Sequence, residues 1–186
     1  MATQGLGPGH DEGTRLSSDV VTTPAAVLVP LVDRPGGLTL LFTRRTEHLH
    51  HHGGQICFPG GRMEEGDGGV IDTALRETAE EIGLDIRRIQ VIGRLDDYRT
   101  ITGFLVTPIV GILEPPFELA PDTFEVAEVF EMPLSYLLDP ANHQRITVKG
   151  SDPPRSAYAV TYEGRVIWGA TAGMLMNLYR ILRGGA

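Results

Sequence analysis

One segment of the chain, residues 58–84, joins a Pro-Gly-Gly turn to a run with the period of an amphipathic helix. The residues that would share one face of this helix are Val70, Ile71, Ala74, Leu75, Thr78, Ala79 and Ile82. Gly83 follows at the position where helices commonly end. The segment therefore predicts a helix that packs by this face on the rest of the fold, directly after a tight turn.

Three glutamates of this helix, Glu77, Glu80 and Glu81, lie within little more than one turn. Like charges at this spacing destabilise a helix by about 0.2–0.5 kcal/mol per pair, so we expect a bound cation, and carboxylates suit Mg²⁺ or Mn²⁺. On a helical wheel Glu77 and Glu81 lie where the apolar face meets solvent. We predict these two as the principal metal ligands and Glu80 as a residue facing solvent or a second ion. A solvated acidic face without metal is the alternative.

The same segment resembles the Nudix box, G-x5-E-x7-R-E-U-x-E-E-x-G-U, in which U is a bulky aliphatic residue. The matching residues are the three glutamates together with Gly61, Arg76, Gly83 and Leu84. Asp67 stands in place of the first glutamate, with eight rather than seven residues before Arg76. Thr78 occupies an aliphatic position, where its methyl group can pack on the apolar face.

This resemblance implies a Nudix hydrolase, an enzyme that cleaves a diphosphate bridge with the help of Mg²⁺ or Mn²⁺. It implies an α/β fold, an α/β/α sandwich with a mixed sheet and the box helix packed on it. By the same resemblance the three glutamates bind metal and take part in catalysis, and the Gly60 carbonyl is a backbone ligand. Arg76 braces the acidic cluster through a salt bridge and does not touch the substrate.

The general base is open between a glutamate of the box and an acid of a later loop. Glu125 and Glu128, in the segment FEVAEVF, are the candidates for the later acid, and Glu77 is the fallback. For both later glutamates the alternative is a solvent-facing position in an alternating strand.

Residues 40–61 are similar to the coenzyme A pyrophosphatase branch of this family, whose signature is L-L-T-x-R-[SA]-x3-R-x3-G-x3-F-P-G-G. The matching residues are Thr43, Arg45, Gly54, Phe58, Pro59, Gly60 and Gly61, while Thr46 and His50 replace Ser/Ala and Arg. The branch implies cleavage of coenzyme A or acyl-CoA to 3',5'-ADP and 4'-phosphopantetheine or its acyl form. Because histidine lacks the permanent charge of arginine, ADP-ribose, NADH or a nucleoside triphosphate is the alternative substrate. A catalytically silent nucleotide-binding module is the alternative outside the enzymes.

Basic side chains upstream of the turn are the candidates for substrate binding. We predict a patch that meets phosphate groups, formed by Arg44, Arg45, His50, His51 and His52. A polar connecting loop is the alternative. Trp168 and Tyr179 are candidates to stack an adenine ring, with a position in the core as the alternative.

The length and net charge of the chain limit the number of domains and the kinds of partner that we expect. The 186 residues fit one domain, and we predict a disordered leader over 1–21 and a single domain over 22–186. With 24 acidic and 16 basic side chains, the formal charge of -8 argues against a nucleic-acid or membrane-surface partner. The single Cys57 cannot form an internal disulfide, and no apolar run approaches a membrane span. We expect a cytoplasmic protein with a small-molecule substrate; a monomer and a homodimer are both open.

The rest of the chain predicts mixed α and β structure. Strands are expected over 25–32 and 38–45, joined as a hairpin, and over 89–95 and 104–113, with Pro108 indicating an edge or a bulge. A second hairpin is expected over 157–169, turning at Glu163 and Gly164, and a closing helix over 170–184.

Overall fold

The structure, a computed structural model, describes residues 22–49, 52–148 and 155–184. The predicted leader, with His50 and His51, lies outside the described residues. The strands are β1 (Thr23–Arg34), β2 (Gly37–Arg45), β3 (Ile56–Cys57), β4 (Gly60–Arg62), β5 (Ile89–Arg94), β6 (Tyr98–Arg99), β7 (Phe104–Leu113), β8 (Val126–Pro133), β9 (His143–Val148), β10 (Arg155–Tyr162) and β11 (Arg165–Trp168). The helices are α1 (Val70–Ile82), α2 (Leu134–Leu138) and α3 (Gly169–Leu182).

A mixed sheet forms the centre of the molecule. Its main path has the order β3-β2-β1-β7-β5, with β4 paired to β1, β6 to β7 and β8 to β2. The strands β1 and β7 pair in parallel, from Thr23–Phe104 to Val32–Leu113, and the other pairs of this sheet are antiparallel. A second sheet has the order β11-β10-β9.

Helices cover both faces of the central sheet. Side chains alternate along its strands, so each strand contributes residues to the core on each face. On one face Leu28 packs with Ala74 of α1, and Leu41 packs with Ile82. The opposite face carries a larger core to which β2, α3 and the second sheet contribute Leu40, Phe42, Met174, Leu175, Leu178 and Ile167. The predicted α/β architecture, with the box helix packed on a mixed sheet, is confirmed.

The Pro-Gly-Gly turn lies in a fork between β1 and β2. The two strands pair only near their hairpin, from Leu31–Leu40 to Arg34–Gly37. Beyond that point β3 pairs with β2 and β4 pairs with β1, so the turn crosses the gap between them. Gly60 has φ 151°, and a Cβ there would collide with the backbone of Ala26 and Val27. Only glycine lets the turn lie this deep in the sheet.

Pro108 does not mark an edge strand, because β7 is interior to the sheet. On one side it pairs with β1, and on the other its partner changes from β5, which ends at Arg94–Ile109, to β6, which begins at Tyr98–Val106. Proline has no amide hydrogen to donate, and Pro108 lies at this break in the ladder.

The other predicted elements are present. The turn of the second hairpin has positive φ at Glu163 (48°) and Gly164 (78°), as a tight two-residue hairpin turn requires. The short strands β3, β4, β6 and β9 were not predicted, because such segments are too brief to show alternation or lie between less regular residues. No helix in the described ranges is long and apolar enough to cross a membrane.

Candidate active site

The helix α1 turns Glu81 into the fold. Glu81 is only 6% exposed, whereas Ile71, predicted on the buried face, is 44% exposed. The expectation that Glu81 lies at the solvent border is therefore wrong. The reason is that the β4 turn and the end of β2 cover this side of the helix and contact the carboxylate. Burial raises the pKa of Glu81 to about 7, because a low-dielectric environment disfavours the charged form.

Two groups from the fork contact the Glu81 carboxylate. The Gly60 amide donates a hydrogen bond to Oε2 at 3.2 Å, and Arg45 Nη1 lies 3.6 Å from Oε1. Arg45 Nη2 also lies 3.9 Å from Glu125 Oε2, so one guanidinium lies between the helix glutamate and the later acid. In the described part of the chain the buried Arg45 Nε has no hydrogen-bond partner. Burial raises the pKa of the neighbouring Cys57 thiol to about 11.

The Glu77 side chain contacts the same turn at Gly61, the residue after Gly60. A Cβ at Gly61 would lie within 2.5 Å of both Glu77 carboxylate oxygens, so the close packing of Glu77 requires glycine there. Burial raises the pKa of Glu77, while the charge of Arg76 opposes this shift. Glu77 and Glu81 thus meet the two successive glycines of the turn, Gly61 and Gly60.

Arg76 lies beside this convergence and binds acids on three sides. Its Nε lies 2.8 Å from Asp67 Oδ1, and its Nη1 lies 3.1 Å from Glu77 and 3.0 Å from Glu80. The Arg76 guanidinium holds the pKa of Asp67 well below its usual range. Asp67, which stands in place of the first glutamate of the box, therefore anchors Arg76. These are the contacts of a bracing residue, while the part that Arg76 plays in turnover stays a prediction.

The donors at the turn fit a divalent metal ion. Across the described ranges no three His, Cys, Asp or Glu side chains already form a closed metal cluster. Glu77 and Glu81 are both withdrawn from solvent, and the charge of Glu77 adds to the raised pKa of Glu81. A cation between two such carboxylates would offset both desolvation and repulsion, and hard oxygen donors suit Mg²⁺ or Mn²⁺. The side chain of Glu80 is 60% exposed and pairs with Arg76, so it lies on the solvent side of this pair.

The two later glutamates have different surroundings. Glu128 Oε1 accepts a hydrogen bond from Arg165 Nη2 at 2.6 Å, and its Oε2 lies 3.1 Å from Arg44 Nε. Arg165 lowers the pKa of Glu128, so this carboxylate is a poor proton acceptor. The side chain of Glu125 is 44% exposed and has the longer ion pair with Arg45. Of the two candidates, Glu125 is the one near the carboxylates of α1.

The structure describes three members of the predicted basic patch, Arg44, Arg45 and His52, and they have different partners. Arg44 and Arg45 follow each other on β2, where the register with β8 shifts between them, and Arg44 pairs with Glu128 while Arg45 pairs with Glu81. Of the histidines in the patch, His52 lies within the described residues, and its Nδ1 lies 2.9 Å from Gln55 Oε1. Among the patch residues that the structure describes, Arg45 is thus the one that reaches Glu81 and Glu125.

Sequence reasoning missed an aromatic pair next to Glu125. The ring of Phe124 is 64% exposed and lies 4.7 Å from that of His48, measured between centroids. The available signal was an aromatic residue directly before a candidate base. Tyr179, predicted as a stacking residue, packs against the core and the edge of the His143 ring. Trp168 is 37% exposed and lies directly before α3.

Known proteins are similar to this chain in sequence or in fold. A family model described as NUDIX domain matches residues 22–148. A Photorhabdus laumondii protein named "Uncharacterized Nudix hydrolase NudL" is 40% identical over 154 residues, which cover 83% of this chain and 82% of the relative. A protein of the same name from Enterobacter sp. strain 638 is 38% identical over 167 residues, covering 88% and 85%. The crystal structure of RenU, a Nudix hydrolase from M. smegmatis, matches with a TM-score of 0.59 and 17% identity, covering 90% of this chain and 96% of that one. This structural likeness concerns the fold.

Proposed function

Since this chain belongs to the Nudix hydrolase family, we propose that it cleaves coenzyme A and acyl-CoA at the pyrophosphate bridge. The products would be 3',5'-ADP and 4'-phosphopantetheine or its acyl form. The observation that carries the proposal is the position of Arg45, a residue of the coenzyme A signature, 3.6 Å from Glu81. A permanent cation next to the metal-binding carboxylates is suited to a substrate whose bridge carries charge on both phosphoryl groups.

The described residues divide the work of such a reaction among them. Water attacks a diphosphate bridge slowly because both phosphoryl groups are negative. When bound, Mg²⁺ or Mn²⁺ supplies neutralising charge and a water of lowered pKa. Glu77, Glu81 and the carbonyl of Gly60 would hold the ion. Arg45 would bind phosphate oxygens, while Arg76 would orient Glu77 through the ion pair between them.

We assign the general base to Glu125, with Glu77 as the fallback. Glu125 is half-exposed, so water reaches it, and its ion pair with Arg45 is long at 3.9 Å. An arginine that turns toward substrate phosphate would free this carboxylate. Glu128 is excluded as the general base because its carboxylate forms ion pairs with both Arg44 and Arg165.

A substrate panel tests the proposal. The full chain is incubated with Mg²⁺ or Mn²⁺ and coenzyme A, acetyl-CoA, ADP-ribose, NADH or a nucleoside triphosphate, and the products are separated by chromatography. We expect 3',5'-ADP from both coenzyme A compounds. Cleavage of ADP-ribose or NADH with coenzyme A intact would overturn the assignment in favour of the alternative that the His50 replacement suggests.

Two matched variants locate the site in the same assay. Glu81→Gln keeps the size of a buried side chain but removes its charge, so we expect turnover to fall at least about 100-fold and Mg²⁺ to lose its stabilising effect on the melting temperature. Glu80→Gln removes a charge from an exposed position and should keep more activity than Glu81→Gln. Wild-type turnover in Glu81→Gln would exclude Glu81 as a ligand.

A further inference from the structure

We infer that Phe124 and His48 form a stacking platform for the adenine ring of the substrate, beside the carboxylates of α1. The inference rests on the proposed function in one respect, that the substrate is an adenine nucleotide. It adds the part of the site that recognises the base: Phe124 lies outside both the box and the coenzyme A signature, and His48 occupies a position that the signature leaves unspecified.

The backbone of Phe124 is held between the two elements that carry the site. Toward α1, the Asp122 amide donates to the Glu81 carbonyl at 2.9 Å, and the Phe124 amide donates to Asp122 Oδ1 at 2.9 Å. Toward β2, Thr46 Oγ1 donates to the Phe124 carbonyl at 2.7 Å, and the Thr46 amide donates to the Glu125 carbonyl at 2.9 Å. Phe124 is therefore fixed relative to Glu81 and to the strand that bears Arg45.

The ring itself is left open to solvent. Phe124 is 64% exposed, although a phenylalanine gains free energy when it is buried. His48, also exposed, lies against it with 4.7 Å between ring centroids and 59° between ring planes. A solvent-facing aromatic ring on a backbone held in place suits base stacking, because every nucleobase presents a π-face.

The charges around the platform favour a base over a phosphate. Asp122 and Glu125 lie on either side of Phe124 in the chain, and their carboxylates would disfavour a phosphate group placed directly on the ring. Arg45 lies near this segment, 3.9 Å from Glu125, so we place the phosphate groups at Arg45 and the neutral adenine beyond them, over Phe124. This order along the site matches a nucleotide, in which the base and the diphosphate lie at opposite ends.

Binding of ADP and of inorganic pyrophosphate to the full chain tests the platform, with Mg²⁺ present and affinity measured by titration calorimetry. Phe124→Ala should raise the Kd for ADP by about 5- to 100-fold, the usual effect of losing one stacked aromatic ring. The Kd for pyrophosphate, which has no base, should change less than about twofold. Phe124→Trp should keep the affinity for ADP. Ile101→Ala, at a residue of similar exposure (68%) in the turn between β6 and β7, should bind both ligands like the wild type.

Four results would overturn the inference. They are an unchanged Kd for ADP in Phe124→Ala, an equal loss for ADP and pyrophosphate, no measurable binding of ADP by the wild type, and a change of oligomeric state in Phe124→Ala by sedimentation, which would make Phe124 a subunit contact. The proposed function fails separately, through coenzyme A that stays intact in the substrate panel. Adenine is shared by ADP-ribose and NADH, so that failure would leave the calorimetric result standing.

Discussion

The acidic residues of the site differ in how deeply they are buried and in how closely they are paired with arginine. Asp67 is almost fully paired by Arg76, which lowers its pKa. Glu81 is buried with a longer ion pair to Arg45, and its pKa rises to about 7. A carboxylate that is desolvated but incompletely paired favours proton or metal binding. Glu81 is therefore the residue whose state should respond most to pH and to metal.

The contribution of Glu81 to the free energy of unfolding of the metal-free protein should fall between pH 5 and pH 8. The folded pKa of Glu81, about 7, lies above the ordinary value of 4.5, so its contribution is fully present below pH 4.5 and is lost as pH rises through 7. The loss is at most about 3 kcal/mol. Urea denaturation in EDTA checks this: Glu81→Gln should exceed the stability of the wild type by more at pH 8 than at pH 5. An equal difference at both pH values would contradict it.

Gly61→Ala should impair metal binding without unfolding the protein. The new Cβ would collide with the Glu77 carboxylate, so that side chain must move, and a displaced ligand costs about 100-fold in turnover. The readouts are kcat and the Mg²⁺ concentration that half-saturates the rise in melting temperature. Gly66→Ala is the matched control, because a Cβ at Gly66 meets open space. Wild-type values of both readouts in Gly61→Ala would show that Glu77 does not depend on this glycine.

At the scale of the element, the end of α1 and the segment 119–125 form one unit. The carbonyls of Glu81 and Ile82 accept hydrogen bonds from the amides of Asp122 and Ala120. Gly83 ends the helix with φ 65°, and a Cβ there would lie 2.7 Å from the Ala120 side chain. The helix end therefore positions the loop that carries the candidate base and the stacking ring.

Gly83→Ala should lower the free energy of unfolding by about 1–3 kcal/mol, because alanine must adopt a left-handed conformation and push against Ala120. It should also raise the Kd for ADP, since the loop that holds Phe124 shifts with Ala120. Urea denaturation and calorimetry measure the two effects. Gly36→Ala, where a Cβ meets nothing within 4 Å, is expected to be close to the wild type. A stable Gly83→Ala with normal binding of ADP would separate the helix end from the platform.

At the scale of the whole molecule, the C-terminal elements complete the core on which the site is built. The match to the family model ends at residue 148, yet Ile167 and Leu175 lie beyond it in the same core as Phe58 of the turn segment. Thr171 Oγ1 of α3 donates to the Ile56 carbonyl of β3 at 3.1 Å. Thus α3 and the second sheet support the strand that leads into the Pro-Gly-Gly turn.

Leu175→Ala should destabilise the protein by about 2–5 kcal/mol, the usual cost of a cavity at a fully buried leucine. Leu175 is 0% exposed, whereas Leu182, near the end of the same helix, is 47% exposed, so Leu182→Ala should cost much less. Urea denaturation of both variants measures the difference. Equal stabilities would mean that α3 does not contribute to the core as its packing indicates.

Elements whose causes are local could be predicted from the amino-acid sequence. The extent of α1 follows from its period and from Gly83, and both hairpins follow from their turn residues, because these signals involve neighbours in the chain. The box motif likewise identified the family. The burial of Glu81, the different acidic partners of Arg44 and Arg45 and the position of Phe124 beside the glutamates are results of tertiary packing. Each of these depends on strands and loops far apart in the chain, whose packing determines which side of a helix is covered and which side chains meet.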